Sequence, residues 1–221
     1  TLGEDFDDIS PLDFSVIAKV PRTRNVDDAV DAAKKAQPMW GALSIEQRCD
    51  WLDKIANELE NQIEEIARLE SMDTGKPHHV ALNVDASRSV NNFRFFAEFG
   101  RNMESQTFEM SDATNYVVRK PIGIVGLISP WNLPLYLLSW KIAPALLMGN
   151  SIVAKPSEIT PLTAHFLSNI CSQVGLPAGV LNIVHGYGPE VGQAIVEHPE
   201  IKAISFTGGT STGKIVAATA A

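Results

Sequence analysis

The carboxyl-terminal half of the chain alternates between continuous apolar runs and segments with helical spacing. Residues 122–128 (IGIVGLI) form an apolar, β-branched run, which is typical of a strand buried on both faces. Apolar residues then recur at helical spacing from Pro134 to Leu147, and Pro144 is expected to kink or shorten that helix. Residues 151–155 (SIVAK) are the next strand. The pattern predicts one βαβ unit with polar groups at the carboxyl end of each strand.

The same rhythm continues downstream and predicts an α/β fold. Helical patterns at 161–175 and 189–199 alternate with apolar strands at 180–186 and 201–208, and a further helix begins near 211. Successive βα pairs of this kind form a doubly wound parallel sheet with right-handed crossovers. Such open sheets bind ligands at the carboxyl ends of their strands.

The amino-terminal third is predicted to be mostly helical. One helix covers residues 26–36, and another covers about 80–99. Between them a long amphipathic helix begins at a capping box of Ser44 and Gln47 and runs unbroken to the TGKP turn. Upstream, FSVIAKV at 14–20 indicates one strand at a sheet edge. We read the apolar faces of these helices as packing surfaces.

Residues 103–120 have a different character. MESQTFEM and NYVVRKP alternate like two strands, and the turn residues Ser111, Asp112 and Ala113 join them. A hairpin this polar has no core of its own. Because unpaired strand edges seek partners, we expect it to reach another subunit.

Net charge, the length of apolar runs and the spacing of cysteines and histidines exclude several classes of partner and site. The net charge of −8 argues against nucleic acid or an anionic membrane as the main partner, and no apolar run reaches the ~18 residues of a membrane span. Cys49 and Cys171 are far apart and read as core positions, which favours a reducing cytoplasm over a disulfide framework. The histidines show no metal-ligand spacing with the cysteines, so no metal site is predicted.

Two glycine-rich turns have the composition of phosphate-binding loops. GGTSTG at 208–213 follows a predicted strand and opens a helix, where backbone N–H groups and the helix dipole favour an anion. With Lys214 the stretch approaches a P-loop, although Ile215 replaces the magnesium-binding hydroxyl; a P-loop NTPase stays an alternative. GYGPEVG, with Gly188 and Gly192, imitates a dinucleotide fingerprint, and a plain turn or helix packing explains it as well.

Three polar residues stand just beyond predicted strands. Lys155 can hold a ribose or phosphate, and Glu158 can accept hydrogen bonds from ribose hydroxyls and repel a 2′-phosphate. Asn132, between two prolines in an apolar setting, carries an amide that can stabilise a developing oxyanion. The alternatives are a solvated loop pair for Lys155 and Glu158 and an Asx turn for Asn132.

PWNLP, KPSE and FTGGTSTG together resemble the aldehyde dehydrogenase superfamily, and the similarity runs over almost all of the chain. The resemblance implies a Rossmann-like, doubly wound parallel sheet with flanking amino-terminal helices and a β-hairpin oligomerisation arm. It implies NAD-dependent oxidation of an aldehyde to a carboxylic acid, with NAD favoured over NADP by Glu158. Asn132 matches the family's oxyanion-hole Asn. The implied cofactor-binding residues are Ile128, Ser129, Pro130, Trp131, Lys155, Ser157, Glu158, Gly188, Gly192, Phe206, Thr207, Gly208, Gly209, Thr210 and Gly213.

Within the superfamily, SRSVNNFRFFA and ISPWNLPLYLLSWKIAPA most resemble the muconic semialdehyde dehydrogenases. In that branch an Arg matching Arg88 holds the substrate's carboxylate, a role suited to a forked guanidinium. Leu133 and Trp140 are the other implied substrate contacts. The alternative for Arg88 is a surface ion pair with Asp85 or another acid. Betaine-aldehyde and hydroxymuconic relatives are close rivals.

The resemblance divides the chain into a helical part of the cofactor domain at 1–102, an oligomerisation hairpin at 103–120 and an incomplete NAD-binding core at 121–221. The family's nucleophilic Cys and general-base Glu belong downstream of the FTGGT turn. We therefore expect an amino-terminal fragment that lacks the catalytic domain and is inactive alone. The complete enzyme is expected to be a homodimer or homotetramer that takes a small aldehyde. A non-catalytic nucleotide-binding module is the alternative.

Overall fold

The computed structural model describes residues 2–221, with side chains from residue 4 onward. The strands are β1 (Leu2–Ile9), β2 (Val16–Thr23), β3 (Thr107–Glu109), β4 (Thr114–Tyr116), β5 (Ile124–Ile128), β6 (Ser151–Lys155), β7 (Leu181–Ile183) and β8 (Ile201–Phe206). The α-helices are α1 (Asp27–Ala42), α2 (Ile45–Asn61), α3 (Ile63–Thr74), α4 (His78–Val80), α5 (Ser87–Arg101), α6 (Pro134–Leu147), α7 (Leu162–Gln173), α8 (Gln193–Glu197) and α9 (Thr210–Ala220). Two π-helical segments cover Ala81–Ala86 and Gly188–Gly192.

The centre of the fold is a four-stranded parallel sheet with the strand order β7-β6-β5-β8. β5 pairs with β6 on one side and with β8 on the other. The chain adds β6 and β7 in one direction from β5 and then returns to place β8 on the opposite side. This confirms the predicted parallel α/β sheet. The strand order reverses between β5 and β8, and doubly wound sheets bind their ligands at such a switch point.

Helices cover both faces of this sheet. Val125 and Leu127 of β5 belong to the larger buried cluster, which also contains residues of α2, α5, α6 and α7. Ile124 belongs to a second cluster with Val30 of α1 and Ile195 of α8. Side chains of β5 therefore pack against helices on both faces of the sheet, as expected when successive side chains of a strand point to opposite faces.

The helix between β5 and β6 begins and ends as its sequence predicts. Pro134 occupies the first turn, and Pro144 lies three residues before the helix ends at Leu147. Gly149 has a left-handed φ of 78°. Its N–H and that of Asn150 donate to carbonyls of the final turn, at 2.9 and 3.0 Å. This is glycine-based C-capping, and it fixes the direction in which the chain enters β6.

The first 23 residues depart from the prediction. Residues 2–9 form β1, which pairs antiparallel with β2 as a separate two-stranded sheet. The predicted edge strand in FSVIAKV is therefore not part of the parallel sheet. β1 was missed because half of the residues in its sequence, LGEDFDDI, are acidic. Phe6 and Asp8 nevertheless point to the same side and are 7% and 1% exposed.

The long amphipathic helix is interrupted. The capping box is present as predicted, with reciprocal hydrogen bonds of 2.9 and 3.1 Å between Ser44 and Gln47. The predicted unbroken helix is wrong beyond Asn61, because Gln62 adopts φ −110° and ψ 21° and starts α3 in a new direction. No proline or glycine marks this break in the sequence.

The predicted helix at 80–99 is present as a continuous rod from α4 through a π-helical segment into α5. The π-segment carries Asp85, which is 1% exposed, and Lys76 Nζ lies 2.8 Å from its Oδ1. The sequence alternative, an Arg88–Asp85 pair, is therefore wrong.

The hairpin at 103–120 is present, with β3 and β4 paired antiparallel. All six strand residues are exposed, and Tyr116 keeps 71% of its surface. Its role in oligomerisation and the proposed domain limits stay predictions. Among residues 2–221, no helix is both long and apolar enough to cross a membrane.

Candidate functional site

Three strands end side by side at the switch point. In the sheet register Ile128 of β5 stands opposite both Lys155 of β6 and Phe206 of β8. The ladder continues one residue further, because Ser129 N donates to Lys155 O at 3.2 Å and Thr207 N donates to Ile128 O at 3.1 Å. Residues that are up to 79 positions apart by number are thus joined at one edge of the sheet.

Lys155 and Glu158 form a partly buried ion pair at this edge. Lys155 Nζ donates to Glu158 Oε2 at 2.9 Å and to Pro156 O at 3.0 Å. Burial lowers the pKa of the Lys155 ammonium, and the Glu158 carboxylate opposes that effect. Burial raises the pKa of Glu158, but hydrogen bonding to Lys155 and the charge of Lys155 outweigh it, so the net pKa is lowered. The Glu158 carboxyl is therefore ionised at neutral pH.

The second glycine-rich turn reaches the same place. Gly188 N donates to Glu158 Oε1 at 3.4 Å. A Cβ added at Gly192 would lie 3.7 Å from Lys155 Cδ, so this glycine packs against the lysine stem. GYGPEVG therefore reaches the strand-end site. Gly188 begins and Gly192 ends a π-helical segment, so these glycines do not form a free loop.

An apolar cavity of about 380 Å³ opens between α8 and α9 beside these residues. Predicted members of its lining are Ile128, Gly188, Gly192 and Phe206. Sequence reasoning missed the other lining residues, which are Pro189, Gln193, Val196, Thr212, Ile215 and Val216. Val196 and Ile215 lie on helices whose apolar periodicity reads as core packing. Only the position of these helices beside the switch point identifies them as cavity walls.

The GGTSTG turn is shorter than the sequence suggested. α9 begins at Thr210, so only Gly208 and Gly209 are outside the helix. The Phe206 ring folds back over Gly208, where an added Cβ would meet the ring at 2.4 Å. The P-loop alternative gains no support, because Lys214 lies more than one turn inside the helix.

Thr207 and Ser205 face the other side of the sheet, toward α6. Lys141 Nζ donates to Thr207 Oγ1 at 2.7 Å and to Ser205 Oγ at 3.2 Å. Burial lowers the pKa of Lys141. Lys141 was not among the residues singled out from the sequence, since a single lysine on an apolar helix carries no signal of its own. Its contacts tie α6 to the carboxyl end of β8.

A larger and more open cavity of about 680 Å³ lies on this α6 side of the sheet. Trp140 and Lys141 of α6 and Phe96 of α5 contribute to its walls. The Trp140 ring stacks on Phe95 at 6.0 Å and meets Phe96 edge-on at 5.4 Å. Although larger, it lacks the carboxylate and glycine turn that accompany the smaller cavity.

The SPWN loop follows β5 directly. Ser129 is 4% exposed, and its hydroxyl has no hydrogen-bond partner within the described chain. Thr160 Oγ1 donates to Trp131 O at 3.2 Å and anchors the loop from the start of α7. Trp131 itself is 56% exposed. The loop therefore presents polar atoms at the strand-end site while one buried threonine holds its backbone.

Asn132 is exposed, so the predicted apolar enclosure is absent from residues 2–221. Its side-chain amide makes no hydrogen bond within that range, which removes the Asx-turn alternative. An unused amide on an anchored loop is available to a substrate oxygen. Leu133 beside it is partly buried.

Arg88 is exposed on α5, with its guanidinium carbon 6.0 Å from the centre of the Tyr136 ring on α6. It makes no ion pair within the described residues. Tyr136 lies four residues beyond Asn132 and four before Trp140. Tyr136 and Trp140 both lie on α6, which begins two residues after Asn132.

Ser157 is engaged in a local turn, because its hydroxyl accepts a hydrogen bond from Ile159 N at 3.2 Å.

Both cysteines are core residues, as predicted. Cys49 is 0% exposed, and burial raises the pKa of its thiol. Cys171 is 4% exposed, and burial raises its thiol pKa to about 12. The described residues contain no cluster of three or more His, Cys, Asp or Glu able to hold a metal ion.

Comparison with known proteins agrees with this geometry. The family model described as the aldehyde dehydrogenase family matches residues 1–221. The chain is 43% identical over 228 residues to 2-hydroxymuconic semialdehyde dehydrogenase of Pseudomonas sp. (strain CF600), covering 99% of this chain and 47% of that protein. It is 46% identical over 212 residues to human 2-aminomuconic semialdehyde dehydrogenase, covering 94% and 44%. The chain thus spans slightly less than half the length of these relatives.

Solved structures give the same result. PnpE in complex with nicotinamide adenine dinucleotide superposes with a TM-score of 0.95 at 43% identity, over 98% of this chain and 45% of that one. The NAD⁺ complex of an aldehyde dehydrogenase from Bacillus cereus gives 0.95 at 39% identity, over 98% and 45%. The sequence resemblance is confirmed, and the chain belongs to the aldehyde dehydrogenase family.

Proposed function

We propose that residues 121–221 bind NAD and that the whole protein oxidises an aldehyde to a carboxylic acid. The observation that carries this proposal is the strand-end site, where Glu158, Gly188 and an apolar cavity meet at the switch point. A flat adenine fits between the apolar walls of α8 and α9, and ribose hydroxyls can donate to the Glu158 carboxylate. The unpartnered Ser129 hydroxyl offers a further polar contact. When bound, NAD supplies the acceptor for a hydride.

The same carboxylate predicts selectivity for NAD. Glu158 is charged at neutral pH, because its net pKa is lowered. A 2′-phosphate on the ribose would face that negative charge, and only one lysine is there to offset it. Calorimetric titration of the 221-residue chain should show NAD binding more tightly than NADP. Glu158→Gln should reduce the difference at least tenfold, and equal affinities in the unaltered chain would contradict the proposal.

We assign the Asn132 amide to the oxyanion that forms when a nucleophile attacks the aldehyde carbonyl. Its side chain is free and its loop is anchored by Thr160. Losing one such donor typically costs ~10²–10³ in rate. In the whole protein, Asn132→Ala should slow single-turnover acylation by that order without changing NAD affinity. A near-normal rate would refute the assignment.

Thr160 is the positioning residue for this amide. Thr160→Val keeps the shape of the side chain but removes the hydroxyl that donates to Trp131 O, so the peptide before Asn132 loses its anchor. We expect a fall of about tenfold in kcat at unchanged KM for NAD, and Thr160→Ser should restore it. If Thr160→Val lowers kcat equally in an Asn132→Ala background, the hydroxyl acts elsewhere.

The substrate class that fits best is an aldehyde that also carries a carboxylate. Arg88 has no acidic partner in the described chain and lies beside Tyr136, which is in the first turn of the helix that follows Asn132. An Arg offers a carboxylate two parallel hydrogen bonds. Arg88→Met in the whole protein should raise KM for a semialdehyde acid and leave KM for a neutral aldehyde unchanged. The similarity to 2-hydroxymuconic and 2-aminomuconic semialdehyde dehydrogenases supports this class.

Neither described cysteine suits the nucleophile, because Cys49 and Cys171 are buried and burial raises both thiol pKa values. We propose that the attacking thiolate comes from outside these 221 residues. A second candidate function follows, namely a nucleotide-binding unit without activity of its own. NAD binding by the 221-residue chain without aldehyde-dependent NADH formation would support it, and turnover would refute it.

We propose that the exposed hairpin of β3 and β4 joins copies of the whole protein into a homodimer or homotetramer. Phe108 and Tyr116 are 55% and 71% exposed there, and both strand edges are short and open. Light scattering of the whole protein should show an oligomer, and Phe108→Glu with Tyr116→Glu should yield monomers. Retention of the oligomer would exclude this surface.

A further inference from the structure

Four carboxyl groups lie buried together where the hairpin of β1 and β2 meets the end of α3. Each is at most 2% exposed, and they belong to Asp8, Glu70, Asp73 and Asp85. Within the described chain, the one cation in contact with them is Lys76, whose Nζ lies 2.8 Å from Asp85 Oδ1. Ionised carboxylates cost several kcal/mol to bury without compensation. The group cannot carry four negative charges against one positive charge.

The hydrogen bonds of these four carboxyl groups show which of their oxygens lack a donor. Asp8 and Glu70 accept no well-formed hydrogen bond at either oxygen, and Asp73 accepts none at Oδ1. Weaker hydrogen bonds from the Ile9 backbone to Asp8, and from Thr163 and the Leu135 backbone to Glu70, offset only part of the effect of burial. Asp73 Oδ2 accepts from Leu162 N at 3.0 Å and so holds the first turn of α7. Buried acceptors without partners are rare in proteins, which means that each requires an explanation.

Asp8 and Asp73 face each other within hydrogen-bonding reach. Two ionised carboxylates only accept hydrogen bonds, but one proton between them turns one group into a donor. Burial raises the pKa of Asp8 to about 6. Burial and then the charge of Asp8 raise the pKa of Asp73 to about 8.

The other charged groups around the pair come from every neighbouring element. Glu70 of α3 and Asp85 of the π-segment add negative charge, and Lys76 neutralises part of it. The far side of β2 faces His165 and His185 across a small cavity. Burial lowers the pKa of His185 to about 4, so it is neutral near pH 7.

The pair joins two elements that otherwise touch lightly. Asp8 lies on β1, and Asp73 lies one residue before the end of α3. Nearby, Pro11 packs on Gly75 just beyond α3. The other end of the hairpin is held independently, because Thr23 N donates to His185 O at 2.8 Å. Charging the pair would therefore free one end of the hairpin and leave the other attached.

We propose that Asp8 and Asp73 share one proton at neutral pH and that losing this proton releases the turn end of the β1–β2 hairpin from α3. This proton-dependent contact is independent of the proposed dehydrogenase function, since neither aspartate lies at the strand-end site. It makes docking of the first 23 residues a function of pH.

Hydrogen exchange of the 221-residue chain, followed by mass spectrometry from pH 5.5 to 9, tests the proposal. After correction for intrinsic exchange, the opening constant of the β1 and β2 amides should rise about tenfold per pH unit between pH 6 and 8, as linkage to one proton requires. Asp8→Asn, whose amide can donate to Asp73 permanently, should remove this slope. Asp7→Asn on the same strand is the matched control and should keep it.

A second measurement covers the case in which Asp8→Asn fails to fold. Carboxyl ¹³C shifts of the unaltered chain should show one aspartate that titrates near pH 8. A flat opening constant in the unaltered chain, or an unchanged slope in Asp8→Asn, would overturn the proposal. So would a slope that disappears when KCl or CaCl₂ is added, because a cation and not a proton would then neutralise the pair.

Discussion

A side chain at Gly126, in the middle of β5, would disturb both the packing of the sheet and the helix that lines the 380 Å³ cavity. A Cβ added there would lie 2.6 Å from Ile195 Cγ2 and 2.6 Å from Ile204 Cδ1. Ordinary contacts are 3.5–4.0 Å or so between carbon atoms, so Gly126→Ala forces about 1 Å of movement. β5 is paired on both sides and cannot yield, which means that α8, carrying Ile195, must move.

The expected cost is that of overpacking a close-packed core, about 1–3 kcal/mol. For a chain of this length, each kcal/mol lowers Tm by about 2–4 °C. Urea unfolding followed by circular dichroism measures the change. The displaced α8 also carries Gln193 and Val196, which line the 380 Å³ cavity. NAD affinity should therefore fall together with stability.

Two further variants separate this mechanism from a general loss of stability. Ile204→Val removes the Cδ1 atom at the clash, so the cost of Gly126→Ala should be smaller in that background. Gly188→Ala is the matched glycine control, because an added Cβ there meets nothing within 4 Å, and it should stay within about 0.5 kcal/mol of the parent. If Gly126→Ala unfolds at the parental urea concentration, the packing argument is refuted.

Three more perturbations have defined outcomes. Phe14→Gly should raise Tm slightly in a thermal scan, because Phe14 has a left-handed φ of 61° and is 81% exposed; a lower Tm would show that its ring is needed. Lys76→Met should lower the free energy of unfolding in urea by about 3–5 kcal/mol, since it leaves the buried Asp85 carboxylate without its cation. Adding Asp85→Asn should restore part of that free energy. Burial raises the pKa of Glu70 to about 7, so the folded state holds its proton more tightly than the unfolded state and stability falls as pH rises from about 4.5 to 7. Glu70→Gln should flatten that part of the stability profile, and an unchanged profile would argue against a neutral Glu70.

Local signals in the sequence predicted much of the architecture. The capping box at Ser44, the left-handed Gly149 and the apolar runs of β5 and β6 each act over a few residues, and each is present. The position of the strand-end site followed from topology, because parallel strands place their carboxyl ends together. This is why Lys155 and the loop after β5 could be grouped before any distance between them was known.

What the sequence did not predict depends on long-range contacts. β1 exists because β2 pairs along its edge and because Phe6 and Asp8 on its buried face meet Tyr187 and Asp73, and the sequence of β1 carries no such signal. The break at Gln62 arises where α2 and α3 pack in different directions, without a residue that terminates helices. The cavity walls at Val196 and Ile215 carry ordinary helical periodicity, and only their tertiary position gives them a role.

The strand β8 has a further consequence for the isolated chain. It lies at the border of the sheet, and none of its six residues is fully buried, in contrast to the wholly buried β6. Its outer backbone groups have no strand partner among residues 2–221, so they can template pairing with a second molecule. Lys202, the exposed second residue of this strand, carries a charge that opposes such pairing. The purified 221-residue chain should therefore self-associate more readily as the salt concentration rises, because salt screens the charge of this lysine at the open edge of β8.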